Sequence, residues 1–176
     1  MPPNTLPPSA FTEPTSGSST EEPLAPLAVR LRIEPLNTGH RVAWDTLWRA
    51  YLDFYESTLP AAQFDLTWSR LLDPQEPVHG WLAALDGQPV GLAHGIVHRS
   101  CWTPDNYLYL QDLYVAPQTR GQGVGAALIQ HLMDRCPELN CNRVHWLTQA
   151  DNTAARALYD RVALATGFVQ YKKTAG

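Results

Sequence analysis

The feature that most restricts the fold is a glycine-rich turn between a strand-like segment and a helix-like segment. The turn reads Arg120-Gly-Gln-Gly-Val-Gly125 and follows an apolar segment that ends near Val115 and Pro117. Glycines at alternate positions let the backbone turn tightly while its N–H groups converge. These donors and the positive end of the helix that follows form an anion site suited to a phosphate or pyrophosphate. Arg120 adds a fixed positive charge at the mouth of that site.

Three interpretations of this turn compete. A plain helix N-terminus would not need three glycines and an arginine within six residues. A dinucleotide site is compatible with Gly121, Gly123 and Ala126, which satisfy GxGxxA, but that fingerprint should open the first βαβ unit of a long parallel sheet. Here the turn comes late in the chain, and a Walker loop is excluded because no Gly-Lys-Ser/Thr follows. The third interpretation is a site for the pyrophosphate arm of coenzyme A, which suits a late glycine turn after several antiparallel strands.

Hydrophobic periodicity divides the rest of the chain into strands and helices. The turn Asp86-Gly87-Gln88-Pro89 predicts a hairpin between two of the strands. The predicted order is β-α-α-β-β-β-α-β-α-β, so we expect an α+β (α/β three-layer) domain with a mixed, mostly antiparallel central sheet flanked by helices. The predicted strands are Val29–Ile33, Gly80–Leu85, Val90–His98, Tyr107–Val115, Val144–Thr148 and Phe168–Tyr171, and the predicted helices are His40–Pro60, Phe64–Leu72, Gly123–Cys136 and Thr153–Ala165.

Composition separates an N-terminal segment from the folded part. Residues Met1–Pro26 contain seven of the fifteen prolines, three glutamates, and neither lysine nor arginine. Such a stretch buries too little apolar surface to offset the entropy of ordering it. We therefore expect a disordered, acidic tail rich in Pro, Ser and Thr over residues 1–26, and a single domain over residues 27–176.

Charge, hydropathy and cysteine content exclude several classes of protein. A net charge of −4 argues against a nucleic-acid-binding surface. No apolar run approaches the roughly 18 residues of a membrane span, and the N-terminus lacks the features of a secretory signal. The three cysteines, without a CxxC pattern or a Cys/His cluster, indicate neither a disulfide framework nor a metal site. We therefore expect a reducing, cytoplasmic location.

The glycine turn and a second motif downstream resemble a known family. Arg120, Gly123 and Gly125 stand in the defining positions of Arg/Gln-x-x-Gly-x-Gly/Ala, the acyl-CoA-binding motif of the GNAT superfamily of N-acetyltransferases. An Asn, a Leu-Tyr pair and a Gly-Phe resemble the other mark of that superfamily: Asn152, Leu158, Tyr159, Gly167 and Phe168. The finer pattern is most similar to the branch of yeast histone and polyamine acetyltransferases. The resemblance implies the acyl-CoA N-acyltransferase fold and acetyl-CoA as cofactor.

The resemblance also implies a set of cofactor-binding residues. In the family, the strand before the turn diverges from the next strand at a bulge, and the pantetheine lies in the gap. Backbone groups at the strand end would pair with the pantetheine amides, and Asn152 would bond the pantetheine arm, cap the last helix, or do both. The implied set is Leu113, Tyr114, Val115, Arg120, Gly121, Gln122, Gly123, Val124, Gly125, Ala126, Asn152, Ala155 and Tyr159.

Two side chains are the candidate catalytic residues. The resemblance implies that Tyr159 is the general acid for the departing thiolate, although the long spacer before Gly167 departs from the family and a core tyrosine is the alternative. Alkyl amines have a pKa of about 10, so a base or a water chain must remove a proton. Asp112 is the candidate base, since polyamine acetyltransferases of the family carry Glu-Asp where this chain has Gln111-Asp112. A buried partner that fixes the Asp112 carboxylate would explain it equally well.

Two further groups of side chains have both a functional and a structural interpretation. The helical stripe of aromatic residues would either cage a cationic amine by cation–π contacts or pack into the core, and core packing is favoured; it comprises Trp44, Trp48, Tyr51 and Tyr55. His94 and His98 share one face of a predicted strand. Either would line a cleft or, as is more usual for single histidines, serve the structure.

We therefore expect an N-acetyltransferase that transfers acetyl from acetyl-CoA directly to a primary amine. The acceptor would be a small molecule, such as a polyamine or an amino-acid-like amine, or else a protein lysine or N-terminus. A non-catalytic acyl-CoA-binding domain and, less favoured, a dinucleotide-binding oxidoreductase are the alternatives. The expected partner is the small-molecule amine, without nucleic acid or membrane, and the sequence is compatible with a homodimer.

Overall fold

The computed structural model describes residues 25–175. Residues 1–24 of the predicted acidic tail lie outside the described residues. The helices are α1 (Leu27–Arg30), α2 (Arg41–Phe54), α3 (Ala61–Leu72), α4 (Val124–Arg135) and α5 (Thr153–Val162), and the strands are β1 (Leu31–Pro35), β2 (Val78–Leu85), β3 (Gln88–Arg99), β4 (Asn106–Val115) and β5 (Cys141–His145). Short 3₁₀ turns at Thr38–His40 and Pro117–Thr119 precede α2 and α4.

The sheet has five strands in the order β1-β2-β3-β4-β5. The first four strands are antiparallel neighbours, and β5 joins β4 in parallel after the crossover through α4. Asp86 and Gly87, which link β2 to β3, have φ values of +50° and +78°, as the two central residues of a type I′ hairpin turn require. The predicted mixed, mostly antiparallel sheet, its hairpin and its βαβ unit are confirmed.

Helices cover both faces of the sheet, and each face has its own core. On one face, α2 and α3 pack Trp44 and Phe64 against Leu92 of β3. On the other face, α4 packs Leu128 against Leu108 of β4. Burying each such side chain stabilises the fold by roughly 1.5–3 kcal/mol. The protein is thus the expected three-layer α+β structure.

Several predicted element boundaries are wrong. The helix predicted over His40–Pro60 ends at Phe54, because Glu56 adopts a φ of +51° and the N–H of Ser57 donates back to the carbonyl of Leu52 at 2.9 Å. The first strand is β1, because Val29 belongs to the helical turn α1 and the partner strand β2 ends opposite Leu31. The fifth strand ends at His145 and not at Thr148, because its pairing with β4 ends there. The last helix ends at Val162, three residues before Ala165, where the backbone of Ala163 becomes extended.

The predicted last strand, Phe168–Tyr171, is also wrong. This segment has no strand conformation, and Phe168 and Tyr171 are each 91% exposed. Alternating apolar residues make a strand only where a neighbour supplies a ladder of hydrogen bonds, and within residues 25–175 none pairs with this segment. In the same range, no helix combines the length and the apolar character that crossing a bilayer requires.

Candidate active site

The central feature of the site is the divergence of β4 and β5. Their parallel pairing extends only to Tyr109 of β4 and His145 of β5, whereas β4 continues to Val115. The edge of β4 that faces β5 is therefore open beyond Tyr109. A β-bulge against β3, between His94 and Gly95, falls at the same level and places Gln111 as the extra residue of β4. Backbone groups of β4 on this edge are left for a ligand that pairs as a strand would.

The glycine turn lies where β4 ends and α4 begins. Gly121 and Gly123 have φ values of +77° and +87°, a left-handed conformation that favours glycine. The first N–H that closes a turn of α4 belongs to Ala127, which donates to the carbonyl of Gly123 at 3.0 Å, and Gly123 provides no side-chain cap. The earlier N–H groups of the helix are therefore unpaired within residues 25–175. Uncapped donors at the positive end of a helix fit a phosphate or pyrophosphate.

A cleft of about 610 Å³ connects the open edge of β4 with the glycine turn and α5. It is lined by all but one of the predicted cofactor-binding residues, the exception being Gln122, whose side chain points to the carbonyl of Gln118 instead. The basic residues of the lining are Arg120 and Arg161. Arg120 is held in place because its Nε donates to the carbonyl of Val115 at 3.1 Å. An open strand edge, uncapped N–H groups and two cations together fit an acyl-CoA.

Tyr159 lines the cleft from α5. Its ring packs edge-on against Trp146, with centroids 5.2 Å apart. Burial, and then the proximity of Tyr55, raises the pKa of Tyr159, so its hydroxyl remains protonated at neutral pH. Chemically, this side chain is able to donate a proton into the cleft.

Asp112 lies beside the cleft and outside its lining. Its Oδ2 is 3.0 Å from Nδ1 of His94, and its side chain is 12% exposed. The structure thus supplies the buried partner that one interpretation of the sequence required. Tyr51 lines the cleft. Burial, and then the charge of the nearby Asp112 carboxylate, raises the pKa of Tyr51. A carboxylate that His94 fixes and that lies close to a tyrosine of the cleft lining is compatible with proton acceptance.

The aromatic stripe of α2 divides into two parts. Trp44 and Trp48 are buried in the core, as the spacing favoured. Tyr51 and Tyr55, one and two turns later, line the cleft together with Phe54. Sequence reasoning missed this division, together with cleft residues Thr119, Ala154, Leu158, Arg161 and Val162. The sequence does not show at which residue α2 leaves the core and begins to line the cleft, because this depends on how the helix packs on the sheet.

The remaining candidates occupy distinct places. Asn152 is the N-cap of α5, where its side chain accepts from the backbone N–H of Ala155 at 3.2 Å. It also lines the cleft, and its amide NH₂ remains able to donate. His94 is buried in the core, whereas His98 is exposed and pairs with His145 across β4 at 3.0 Å between their Nε2 atoms. The two histidines of β3 therefore have different surroundings.

Comparisons with known proteins agree with this geometry. Residues 44–163 match the profile of the Acetyltransferase (GNAT) family. The chain is 33% identical over 157 residues to the D-amino-acid N-acetyltransferase HPA3 of Saccharomyces cerevisiae, covering 88% of this chain and 98% of that protein. It is also 33% identical over 85 residues to a thialysine N-epsilon-acetyltransferase of Caenorhabditis elegans, covering 48% of this chain and 52% of that protein.

A solved structure gives the same fold. The aminoglycoside N-acetyltransferase AAC(6')-Iy in complex with CoA superposes with a TM-score of 0.71 at 18% identity, covering 82% of this chain and 94% of the other. The family match spans more than half of the chain, and the yeast relative is matched over nearly all of its length. The chain therefore belongs to the acetyltransferase (GNAT) family, an enzyme family that uses acetyl-CoA as the acyl donor.

Proposed function

We propose that this N-acetyltransferase acts on the primary amine of an amino acid or a closely related small molecule. The observation that carries the proposal is the extended match to a protein named for D-amino-acid N-acetylation. The second relative is named for thialysine, also an amino acid. Polyamines are the second candidate, favoured by the cluster of Tyr51, Phe54 and Tyr55 in the cleft, since aromatic faces attract ammonium groups.

An acceptor screen tests this proposal. The enzyme is incubated with acetyl-CoA and D- and L-amino acids, thialysine, polyamines, aminoglycosides or lysine-containing peptides, and release of free thiol is measured. We expect the highest kcat/KM with an amino acid. A clear preference for peptides would contradict a small-molecule acceptor, and thiol release with none of the amines would favour a non-catalytic acyl-CoA-binding domain.

The proposed cofactor site consists of the open edge of β4 and the glycine turn. Backbone groups near Leu113 and Val115 would bind the pantetheine amides, with Tyr114 in the cleft lining between them. The N–H groups from Gly121 to Ala126, including that of Gln122, would bind the pyrophosphate. Asn152 would donate to the pantetheine arm while its Oδ1 caps α5. Support for the site comes from the positive φ values of the glycines and the uncapped start of α4.

The proposed chemistry is direct attack of the amine on the thioester. When bound, acetyl-CoA supplies a carbonyl carbon that forms the new C–N bond and a thiolate that departs as the C–S bond breaks. Backbone N–H groups near Leu113 would stabilise the oxygen that becomes negative. Tyr159 would give its proton to the departing sulfur. Asp112 would receive the proton that the amine loses, and Tyr51 of the cleft lining lies close to its carboxylate.

The proposal also covers the domain division of the chain, its oligomeric state and its cellular compartment. A single domain from residue 27 onward is supported by two core clusters that share one sheet. A homodimer is supported by the large apolar side chains exposed after α5, which are Leu164, Phe168, Val169 and Tyr171, and light scattering on the full chain would test it. A reducing, cytoplasmic setting is supported by three cysteines that are all free thiols.

A further inference from the structure

A buried chain of three side chains connects the core of the protein to the candidate base. Nε1 of Trp44 donates to Nε2 of His94 at 2.9 Å, and Nδ1 of His94 lies 3.0 Å from Oδ2 of Asp112. Trp44 is fully buried and His94 is 3% exposed. Water therefore does not compete for the hydrogen bond between Trp44 and His94, and the chemistry of these two rings decides which nitrogen donates.

The donor inventory fixes where each proton lies. An indole nitrogen only donates, so Nε2 of His94 must be the acceptor and carries no proton. A neutral imidazole has one proton, which is then on Nδ1 and points at Asp112. An imidazolium would set an Nε2–H against the indole N–H in a site without water, and burying such unpaired donors costs about 1–3 kcal/mol. Trp44 thus selects the Nδ1–H tautomer of His94.

The groups around this pair do not supply a competing charge. From α2, the rings of Trp48 and Tyr51 lie against the site, with Trp48 at 4.9 Å from the His94 ring. From β4, Tyr109 is close enough for the charge of Asp112 to add to burial in raising the pKa of Tyr109. The guanidinium of Arg41 lies 5.7 Å from the Trp44 ring, beyond the indole and turned to Asp45 and Asp65.

We propose that Trp44 and His94 are positioning residues that hold Asp112 as an ionised, oriented carboxylate for the acceptor amine. Because Trp44 holds His94 as an Nδ1–H donor, His94 binds one oxygen of Asp112 and fixes the orientation of the carboxylate. The same carboxylate lies close to Tyr51 of the cleft lining. This inference rests on the proposed function, in which Asp112 receives the proton of the amine.

The first test reads the tautomer directly in the unmodified enzyme. Long-range ¹H–¹⁵N spectra of protein labelled at its six histidines, with His94 assigned through His94→Asn, distinguish Nδ1–H, Nε2–H and imidazolium forms. We expect the Nδ1–H tautomer of His94, because Nε2 accepts from the indole of Trp44. An Nε2–H tautomer would overturn the proposal whether or not the enzyme has been shown to be active.

The second test uses two matched substitutions on α2. Trp44→Phe removes the indole N–H that holds His94, whereas Trp48→Phe removes a ring of the same size whose Nε1 has no hydrogen-bond partner within residues 25–175. With the Trp44 donor lost, no hydrogen bond holds His94 in the Nδ1–H form. We expect the acidic limb of the kcat profile of Trp44→Phe, measured between about pH 5.5 and about pH 8, to move relative to that of the unmodified enzyme. Trp48→Phe should keep the unmodified profile.

The third test separates positioning from packing at His94. The amide nitrogen of asparagine stands where Nδ1 of histidine does, so His94→Asn keeps a neutral donor to Asp112, whereas His94→Leu keeps only bulk. We expect His94→Asn to retain kcat within about tenfold and His94→Leu to lose about 10²-fold. Equal losses in both, or identical pH profiles for Trp44→Phe and Trp48→Phe, would refute the positioning role. If Trp44→Phe fails to fold, the tautomer spectrum and the comparison of His94→Asn with His94→Leu still test the positioning role.

Absence of acetyl transfer in the unmodified enzyme would instead count against the proposed function. The tautomer spectrum would be unaffected by that failure. The two conclusions are therefore separately testable.

Discussion

The indole of Trp146 stands edge-on to the phenol of Tyr159, with ring centroids 5.2 Å apart and planes inclined by 62°. Trp146 directly follows β5, and Tyr159 lies in the middle of α5. The end of the diverging strand therefore limits the orientations open to the tyrosine that lines the cleft. A side chain that is already held in one orientation loses little further conformational entropy in the proposed proton transfer.

Tyr159→Phe should lower kcat by about 10²–10⁴ while leaving acetyl-CoA affinity nearly unchanged. The substitution keeps the ring against Trp146 and removes only the hydroxyl. Steady-state kinetics combined with calorimetric titration of acetyl-CoA would measure both quantities. Tyr171→Phe is the matched control, since Tyr171 is 91% exposed. A fully active Tyr159→Phe would mean that the thiolate departs without a protein acid.

Gly125→Val should weaken acetyl-CoA binding by at least tenfold, about 1.4 kcal/mol. A Cβ at Gly125 would stand 3.0 Å from Cδ2 of Leu158 and 3.7 Å from Cγ2 of Val115, so a valine side chain would press against two residues that line the cleft. Gln122→Ala is the control, because only the backbone of Gln122 belongs to the proposed site. Calorimetric titration of both variants decides the matter, and equal affinity in Gly125→Val and the unmodified enzyme would remove the glycine turn from the cofactor site.

Asp112→Asn should lower kcat and abolish the acidic limb of the pH–rate profile, because the amide keeps the hydrogen-bonding shape but has no charge to accept a proton. Asp160→Asn, at an exposed position on α5, is the control for loss of one carboxylate. Rates measured between about pH 5.5 and about pH 9 would show the difference. An unaltered limb together with a lower melting temperature would make Asp112 purely structural.

The stability of the protein should fall on mild acidification. Burial lowers the pKa of His79, His131 and His145 in the folded state, whereas the unfolded chain titrates near pH 6.5. Below that pH the unfolded state binds more protons, so the free energy of unfolding decreases as pH falls through this window. Denaturant titrations at about pH 7.5 and about pH 5.5 would measure the difference. His131→Gln should reduce this pH dependence, and an undiminished dependence would contradict the assignment.

Deletion of residues 1–24 should leave both the melting temperature and kcat nearly unchanged. The segment has neither apolar periodicity nor candidate ligands, and the deletion retains Pro26, whose carbonyl accepts from the N–H of Val29 at 2.9 Å. Thermal unfolding and kinetics of the truncated and full-length chains would test this. A large loss of either would indicate that the segment docks on the fold or completes an interface.

Features set by neighbouring residues were predictable from the sequence. The Asp86-Gly87 hairpin and the turn at Gly121 and Gly123 depend on backbone conformations that few residue types adopt, so their sequence is specific. The helical stripe that begins at Trp44 likewise reveals a buried helix face.

Features set by distant partners were not predictable in the same way. The end of β5 at His145 follows from the point at which β4 diverges from it. The segment Phe168–Tyr171 does not form a strand, because no strand within residues 25–175 pairs with it. The pairing of Asp112 with His94 arises because the register of β3 and β4 sets them opposite each other. Such relationships depend on tertiary structure, which local spacing does not encode.

The edge of β4 beyond Tyr109 has no neighbouring strand within residues 25–175, so its backbone groups on that side lack partners from the sheet. A small molecule that pairs with this edge would take the place of a neighbouring strand. Its concentration would then raise the free energy of unfolding of the native state. A ligand that binds only the folded chain at 100 times its Kd adds about 2.7 kcal/mol. If acetyl-CoA binds at this edge as proposed, a concentration of acetyl-CoA well below its Kd would leave the enzyme less resistant to unfolding as well as slower.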